Sequence, residues 1–447
     1  MNPATTATSA LAALGQGCIV LHCSHTQNLR WANSALTTNG DMRTVTMTAI
    51  AFESTDAGTR VSVSSGQVDG PEDAARMATA CRQAAQRAPV LDAAPLVPGH
   101  ADDNFEQPGS DIEQESTQRM LSAVSTFLAQ PEAQFGYAEL DRTTTYLATS
   151  AGTRHRVAQD SVRIEASARN DLGSTWWGSN TLDTDFARAA ATSAERLSQQ
   201  RRRADLQPGR HRVILSPGAV ADLLIYLAWT ASGRDAADGH NVFARPGGGT
   251  RIGERFSPRA INLFSDPHHP GLRTGDRVVV EANSSTESVF DNGMELAPAH
   301  FIERGRLRAL RASRPTAAKY SLATTYLTDN LILEDRQGHG DLDDLIARTD
   351  DAVLINCLWY IREVDPQNLL LTGLTRDGVY LVQDGRITAG APNFRFNVSV
   401  TDLLARITDA TESSPCLPRE WADWFTRTSM PALLVDGFNL SSRSEAR

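Results

Sequence analysis

The stretch Arg212-Val213-Ile214-Leu215-Ser216-Pro217-Gly218-Ala219-Val220 reads as a strand running straight into a helix. Residues 212–215 form a short run with apolar Val213, Ile214 and Leu215, as in a buried strand. Pro217 then fits the first turn of a helix, where its missing N–H costs nothing. Val220, Leu223, Leu224, Leu227 and Ala228 follow within that helix. Beyond it glycines gather at Gly247, Gly248, Gly249 and Gly253, and the chain turns strand-rich. Strands are expected at 277–282, 300–303, 307–310, 352–361, 369–374 and 379–382. Asp384-Gly385 supplies a two-residue hairpin turn, since both central positions need positive φ, and 386–388 is the returning strand.

Working back toward the N-terminus, the pattern is again mixed. In Thr44-Val45-Thr46-Met47-Thr48-Ala49 every second residue is apolar, which places the apolar set on one face of a half-buried sheet. Further strands are expected at 17–21, 29–32, 60–64, 138–141, 144–149 and 161–168. Pro71-Glu72-Asp73 reads as a helix start, with acids beside the positive end of the dipole. Cys81 follows at helical spacing from Met77 and Ala84, as a core residue. A helix bearing Met120, Leu121, Val124, Phe127 and Leu128 on one face, and another over 183–203 with Phe186, Ala190 and Leu197, complete the helical set. Prolines and acids dominate 89–113, as in an exposed linker. The expected class is α+β. An N-terminal α+β region (1–88), a linker (89–113) and a central α+β region (114–208) precede a larger strand-rich C-terminal domain (209–447). At 447 residues the chain exceeds one ordinary core.

Composition removes several function classes. Apolar residues make up 41% and charged residues 21%, enough to bury real cores. A net charge of −10 argues against nucleic acid as a partner. Arg201, Arg202 and Arg203 form the one basic cluster, and they suit the C-terminal end of a helix. Cys18, Cys23, Cys81, Cys357 and Cys416 are odd in number and scattered, so reduced thiols in a cytoplasm are expected rather than a disulfide framework. No positive charge precedes an apolar run at the N-terminus, and no run of 18 apolar residues occurs, so neither a signal peptide nor a membrane partner is expected.

Searching for chemistry gives mostly negative results. Cys18, His22, Cys23 and His25 have the right side chains for zinc, but strand geometry sends Cys18 and His22 one way and Cys23 and His25 the other. His268-His269 lies between two prolines in loop composition. None of the ten histidines is followed by glutamate, so the helical zinc-peptidase motif cannot be built. There is no nucleophile elbow. Cys357 lies in an apolar strand, whereas Cys416, two residues before Pro418, is expected in a more exposed loop. Aromatic side chains concentrate at Trp176-Trp177, Trp359-Tyr360 and Trp421 with Trp424. In Asn393-Phe394-Arg395-Phe396-Asn397 the phenylalanines share one face and Arg395 takes the other. Aromatics and Arg favour interface centres, which makes Phe394, Arg395 and Phe396 candidates for a peptide groove or partner interface.

Segment order carries a resemblance. The 212–220 stretch, Phe290-Asp291-Asn292-Gly293, Phe301-Ile302-Glu303-Arg304-Gly305-Arg306-Leu307 and Asn368-Leu369-Leu370-Leu371-Thr372-Gly373 occur in the order found in the TldD/PmbA family. Val382-Gln383-Asp384-Gly385-Arg386-Ile387, 393–397, Met430-Pro431-Ala432-Leu433-Leu434-Val435 and the early Leu29-Arg30-Trp31-Ala32-Asn33-Ser34 extend it along nearly the whole chain. In detail the chain resembles the actinobacterial PmbA/TldE-type members. The TldD-type subunit bears H-E-x-x-x-H on the helix after the first strand; aligning Leu223-Leu224, its histidine places fall on Ile225 and Thr230 and its glutamate on Tyr226. Cys416 lies near the place of that subunit's cysteine ligand, without its glycine-rich surroundings. The resemblance therefore implies a C-terminal domain of the TldD/PmbA type without its catalytic or metal site. It implies a non-catalytic, structural or regulatory subunit of a heteromeric zinc peptidase. Zinc would belong to a TldD-like catalytic partner, and the substrates would be unfolded peptides or modified-peptide precursors. Rival expectations are an independent hydrolase using Cys416 or the Cys18, His22, Cys23 and His25 set, and a homodimeric peptide-binding protein.

Overall fold

The computed structural model describes residues 2–445. A helix the sequence reading did not single out comes first, α1 (Pro3–Leu14). Asn2 caps it through its side chain, and its small residues Ala4, Ala7 and Ala10 let it lie close against the sheet behind it. The sheet is built from β1 (Gly17–Ala32), β2 (Ala35–Thr55) and β3 (Gly58–Gln67), then, after α2 (Pro71–Ala85), β4 (Val90–Leu91). It continues after α3 (Gln114–Leu128) with β5 (Ala133–Thr149), β6 (Arg154–Asn170) and β7 (Gly173–Ser179), and α4 (Phe186–Gln199) closes the unit.

These seven strands form one antiparallel sheet in the order β4-β3-β2-β1-β5-β6-β7. The β1–β5 pairing therefore joins region 1–88 to region 114–208 in a single sheet. Residues 89–113 carry little secondary structure but are pinned along it. Val90 and Leu91 pair β3, Ala101 bridges Arg154, and Phe105 is buried edge-on to Tyr146. Alternation gives the sheet two apolar faces. Ile19, Leu21, Met47, Tyr146 and Ala148 meet α1 and α2, and Leu29, Trp31, Ala138 and Ile164 meet α3 and α4. On α3 the buried set is Met120, Ala123, Val124 and Phe127, while Leu121 turns to solvent. The opposite face, with Cys18, Val20, Ile50, Phe52 and Leu147, is covered by Val278, Val280, Val289, Phe290 and Tyr326 from the second half of the chain.

That half begins with β8 (Gly209–Leu215) and α5 (Pro217–Thr230), then α6 (Gly233–Ala237), β9 (Ile261–Ser265), β10 (Ala299–Glu303) and β11 (Arg306–Leu307). After α7 (Arg314–Tyr320), β12 (Leu331–Asp335) and α8 (Leu342–Ala347) come the long hairpin β13 (Asp351–Asp365) and β14 (Leu370–Gln383), and β15 (Arg386–Gly390). Next are β16 (Phe394–Ser399), α9 (Val400–Leu404), β17 (Ile407–Ala410), β18 (Ser414–Cys416), β19 (Thr428–Met430) and β20 (Leu433–Arg443). Strands β11-β10-β9-β12-β19-β18 make one sheet. In the other, β13 pairs β8, β8 pairs β20, β20 pairs β16, β16 pairs β14, and β14 pairs β13, so the strands close a ring. Helix α5 is buried between the two, in one core that takes in Leu263, Leu333 and Phe301 from one sheet and Val213, Ile355 and Phe396 from the other. Among the described residues no helix is long and apolar enough to cross a membrane.

Several local expectations are corrected. Residues 277–282 form no strand: Val278 and Val280 pack into the seam between the halves, and the Asn292 side chain accepts from Val280 N–H at 2.6 Å and donates to its carbonyl at 2.9 Å in place of a strand partner. Pro431 separates β19 from β20, because proline has no N–H for a ladder. The Asp384-Gly385 turn has φ of 48° and 74°, as a two-residue hairpin requires.

Phe394 and Phe396 are each 0% exposed on β16, inside the ring, and only Arg395 faces out. Phe396 lies tilted against Phe438, with ring centroids 5.7 Å apart, and covers Gly373, where a Cβ would come within 2.7 Å of its ring. A Phe396→Ala variant should lose about 3–5 kcal/mol of stability in chemical denaturation. Arg395→Ala should stay within about 0.5 kcal/mol, and equal effects would show that the ring interior has been misassigned.

Candidate functional site

Helix α5 owes its position to a local device. Ser216 accepts a hydrogen bond from Ala219 N–H, Pro217 occupies the first turn, and apolar residues then surround the helix on all sides. Its one buried acid, Asp222, accepts the backbone N–H groups of Arg419 at 3.1 Å and Glu420 at 2.9 Å. Burial outweighs those donors and raises its carboxyl well above the usual range. At the three places matched to the H-E-x-x-x-H motif, Ile225 is fully buried and apolar, and Tyr226 lies 5.8 Å from the Trp421 ring. The Thr230 hydroxyl is spent on the Tyr226 and Leu227 carbonyls. Cys416 is buried rather than exposed: β18 pairs β19, the thiol lies 3.4 Å from Thr428 Oγ1, and burial pushes it up to about 12. A zinc ion does not fit this donor set, and a thiolate nucleophile does not form there.

The C-terminal end of α5 reaches a cleft between the first sheet and the second half of the chain. One arm, about 660 Å3, is lined by His22, Trp229, Glu281, Arg311, Tyr326, Trp424 and Phe425 among others. A second arm, about 990 Å3, includes His155, Ala158, Asp276 and Arg427 and shares Val157, Gln159 and Thr274 with the first. Trp424 is 77% exposed at this cleft, the most exposed large apolar side chain described. His22 is held from both sides, by Thr145 at 2.9 Å and by Glu281 across the seam at 3.0 Å, which keeps the Glu281 carboxyl below its usual range despite partial burial. Arg311 pairs with Glu287 at 3.1 Å, and its burial lowers the guanidinium from its usual value.

Strand β6 borders this cleft with an open edge. Its N-terminal end is bridged by residues 100–102 and its C-terminal end by β7 from Ile164 onward. Between them the even-numbered residues of 156–162 turn backbone groups toward the cleft. Arg156 N–H goes to Asp102 and the Asp160 carbonyl to Arg427, but no strand covers this stretch among the described residues. Such an edge accepts an extended chain through main-chain hydrogen bonds.

The sequence-derived candidates are dispersed. Burial removes Phe394 and Phe396 from any surface offered to peptide. Cys18 and His22 lie on the face toward the second half, while Cys23 and His25 lie on the other, where His25 is enclosed by Asp41 and Asp111, each at 3.2 Å. Trp176 is buried and donates to Glu165 at 3.0 Å, Trp177 packs between Phe127 and Phe186, and Trp359 lies under Arg419. Glu165 and Arg419 form an ion pair at 2.5 Å that joins the two halves. Nothing in local spacing announces that pair, because its partners come from distant strands and loops.

A family model described as the PmbA/TldA metallopeptidase C-terminal domain matches residues 208–442. Among solved structures, TldE from Thermococcus kodakarensis superposes with a TM-score of 0.76 at 14% identity, covering 98% of this chain and 99% of that one. A proposed modulator of a DNA gyrase from Thermotoga maritima gives 0.70 at 15% identity, with 94% and 95% covered. Another proposed modulator of DNA gyrase, from Bacteroides thetaiotaomicron, gives 0.73 at 13% identity, with 98% of both chains covered. These likenesses establish the fold. A search of curated proteins finds no match.

Iodoacetamide at pH 8 should modify Cys416 only after unfolding, as followed by peptide mass spectrometry. Rapid labelling in the native protein would reinstate it as a reactive thiol.

Proposed function

The chain belongs to the PmbA/TldD metallopeptidase family, and from that premise we propose that it is the non-catalytic, TldE-like subunit of a cytoplasmic heteromeric zinc peptidase. A TldD-like partner supplies the metal and the catalytic base. The observation that carries this reading is the side-chain set Ile225, Tyr226 and Thr230 on α5, packed and hydrogen-bonded in ways that leave no ligand for an ion. The full-length likeness to an archaeal TldE supports it.

The role left to this chain is to hold substrate. The open edge of β6 and the exposed Trp424 flank one elongated cleft. An unfolded peptide, or the unfolded part of a modified-peptide precursor, has the free backbone groups such an edge requires, whereas a folded protein has already paired them. An aromatic face at the cleft adds sequence-tolerant contact area.

The test is co-expression with a TldD-like protein from the same organism, with zinc and peptidase activity measured for each chain alone and for the mixture. The expected result is a stable complex with zinc in the partner and activity dependent on both chains. Trp424→Ala should then raise KM for unfolded peptide by about 3–10-fold, the size of one exposed aromatic contact, with little change in zinc content. Activity in this chain alone, or no complex, would sink the proposal.

A further inference from the structure

The charged groups of the first arm of the cleft are spent on one another. His22 meets Glu281, Arg311 meets Glu287 at 3.1 Å, Asp329 meets Arg427, and Arg277 donates to the Gly293 carbonyl at 3.0 Å. Such a wall offers a charged ligand no unpaired counter-charge, and enclosing one there costs its hydration. What the wall leaves open is apolar. Trp229 and Leu327 are partly buried at the margin of the core around α5, and Val279 and Leu296 stand in the same way at the margin of the seam. Two hydrophobic cores thus come to the surface in one arm, beside the exposed Trp424.

Strand β6 sets which side chains of an added strand meet this arm. Its odd-numbered residues face the second half of the chain. Val157 lies against Gly275, where a Cβ would come within 3.6 Å of it, and Ser161 Oγ is 3.0 Å from Thr426 Oγ1. Between these contacts the second half stands off. Val157, Gln159 and Thr274 line both arms there and form the mouth that joins them. The even-numbered Ala158 and Asp160 point the other way and are exposed. Residues directly opposite one another in a ladder share a face. A peptide on the open edge therefore turns every second side chain toward the mouth and the others toward solvent.

We propose that the first arm is a subsite for one bulky apolar side chain, aromatic or branched aliphatic, carried by an extended peptide on the β6 edge. The subsite rests on the peptide reading above and adds a selection to it. The rim at Trp424 accepts many sequences, whereas the arm behind it favours a large apolar residue opposite Val157 or Gln159. At about 660 Å3 the arm has room for a side chain as large as Trp. Folded proteins keep most such residues inside, and unfolded segments expose them. The arm therefore recognises the same unfolded state as the open backbone edge, by a second criterion. A wholly polar segment engages the edge alone and is held more weakly.

The experiment uses the full chain and four short N-acetylated, dye-labelled peptides that share one Ser/Thr/Gln host sequence and carry Phe, Leu, Ala or Glu at the centre. Affinity is read by fluorescence anisotropy. The Phe and Leu peptides should bind about 10-fold more tightly than the Ala and Glu peptides, the effect of burying most of one large side chain. Ala282→Trp fills the arm from an exposed position that spares the fold, and should bring all four to the affinity of the Ala peptide. Leu327→Asn should narrow the gap. Ala158→Pro removes one N–H of the open edge, a change that edge strands tolerate, and should weaken all four alike by about 5-fold. In parallel, N-acetylphenylalanine amide should shift the Trp229 signal of the fluorotryptophan-labelled chain, and should not do so in Ala282→Trp. Equal affinity for the four peptides, or a Phe preference that survives both Ala282→Trp and Leu327→Asn, overturns the subsite and leaves the peptide reading intact. No peptide binding, with the N-acetylphenylalanine amide shift retained, overturns the peptide reading and leaves the apolar arm. Absence of both overturns both.

Discussion

A helix with no solvent face dictates the architecture of the second half. Helix α5 presents apolar side chains all round, so it is stable only when covered on both sides. Two sheets supply that cover, and each fully buried Leu, Ile or Val is worth about 1.5–3 kcal/mol. The single acid on the helix, Asp222, fixes where the 419–421 loop crosses, because its oxygens must take up backbone N–H groups. Once the loop is fixed, Arg419 is aimed at Glu165, and Trp421 is set against Tyr226 and Trp229. One buried helix thereby positions the end of the cleft and one of its ties to the first sheet.

The seam between the halves is chemically graded. Its centre is apolar, with Val20, Ile50, Phe52 and Leu147 against Val278, Val280 and Phe290. Its margins are polar, with His22 and Glu281 toward one arm of the cleft and Glu165 and Arg419 toward the far end of β6. Removing one member of a buried pair such as Glu165–Arg419 leaves the other unpaired, at a cost of about 3–5 kcal/mol. This arrangement fixes orientation through the polar margins and adhesion through the apolar centre. The cleft follows from it, because the seam closes over β1 and β2 and stops short of the free edge of β6.

Features governed by local rules were legible in the sequence. Pro217 and Pro71 marked helix starts, Asp384-Gly385 marked its turn, and alternation along 18–25 separated Cys18 and His22 from Cys23 and His25. Family membership was legible from segment order, and the α+β class from the mixture of periods. What escaped depends on partners far away in the chain. Phe394 and Phe396 alternate with Arg395 as exposed interface residues could, and only closure of the strand ring puts them inside. Cys416 looked like loop because Pro418 follows two residues on, yet β19 pairs with it and buries it. The run of valines at 278–280 matches a strand, but Val278 and Val280 answer to a neighbouring face rather than to a neighbouring ladder. Helix α1, rich in alanine and threonine, shows no apolar stripe until the sheet it covers is known.

The closed ring has a consequence for synthesis. Its first strand, β8, and the strand that lies between β8 and β16, β20, are made far apart in time on the ribosome. The first sheet takes all its strands from residues before Gly209 and can pair as it emerges. The ring cannot close until residues 433–443 are out, and until then β8 and β16 each lack a neighbour and expose apolar surface. A nascent chain of this protein therefore spends the later part of its translation with a finished front half and an unsealed back half, the stage at which a holdase chaperone has the most to protect.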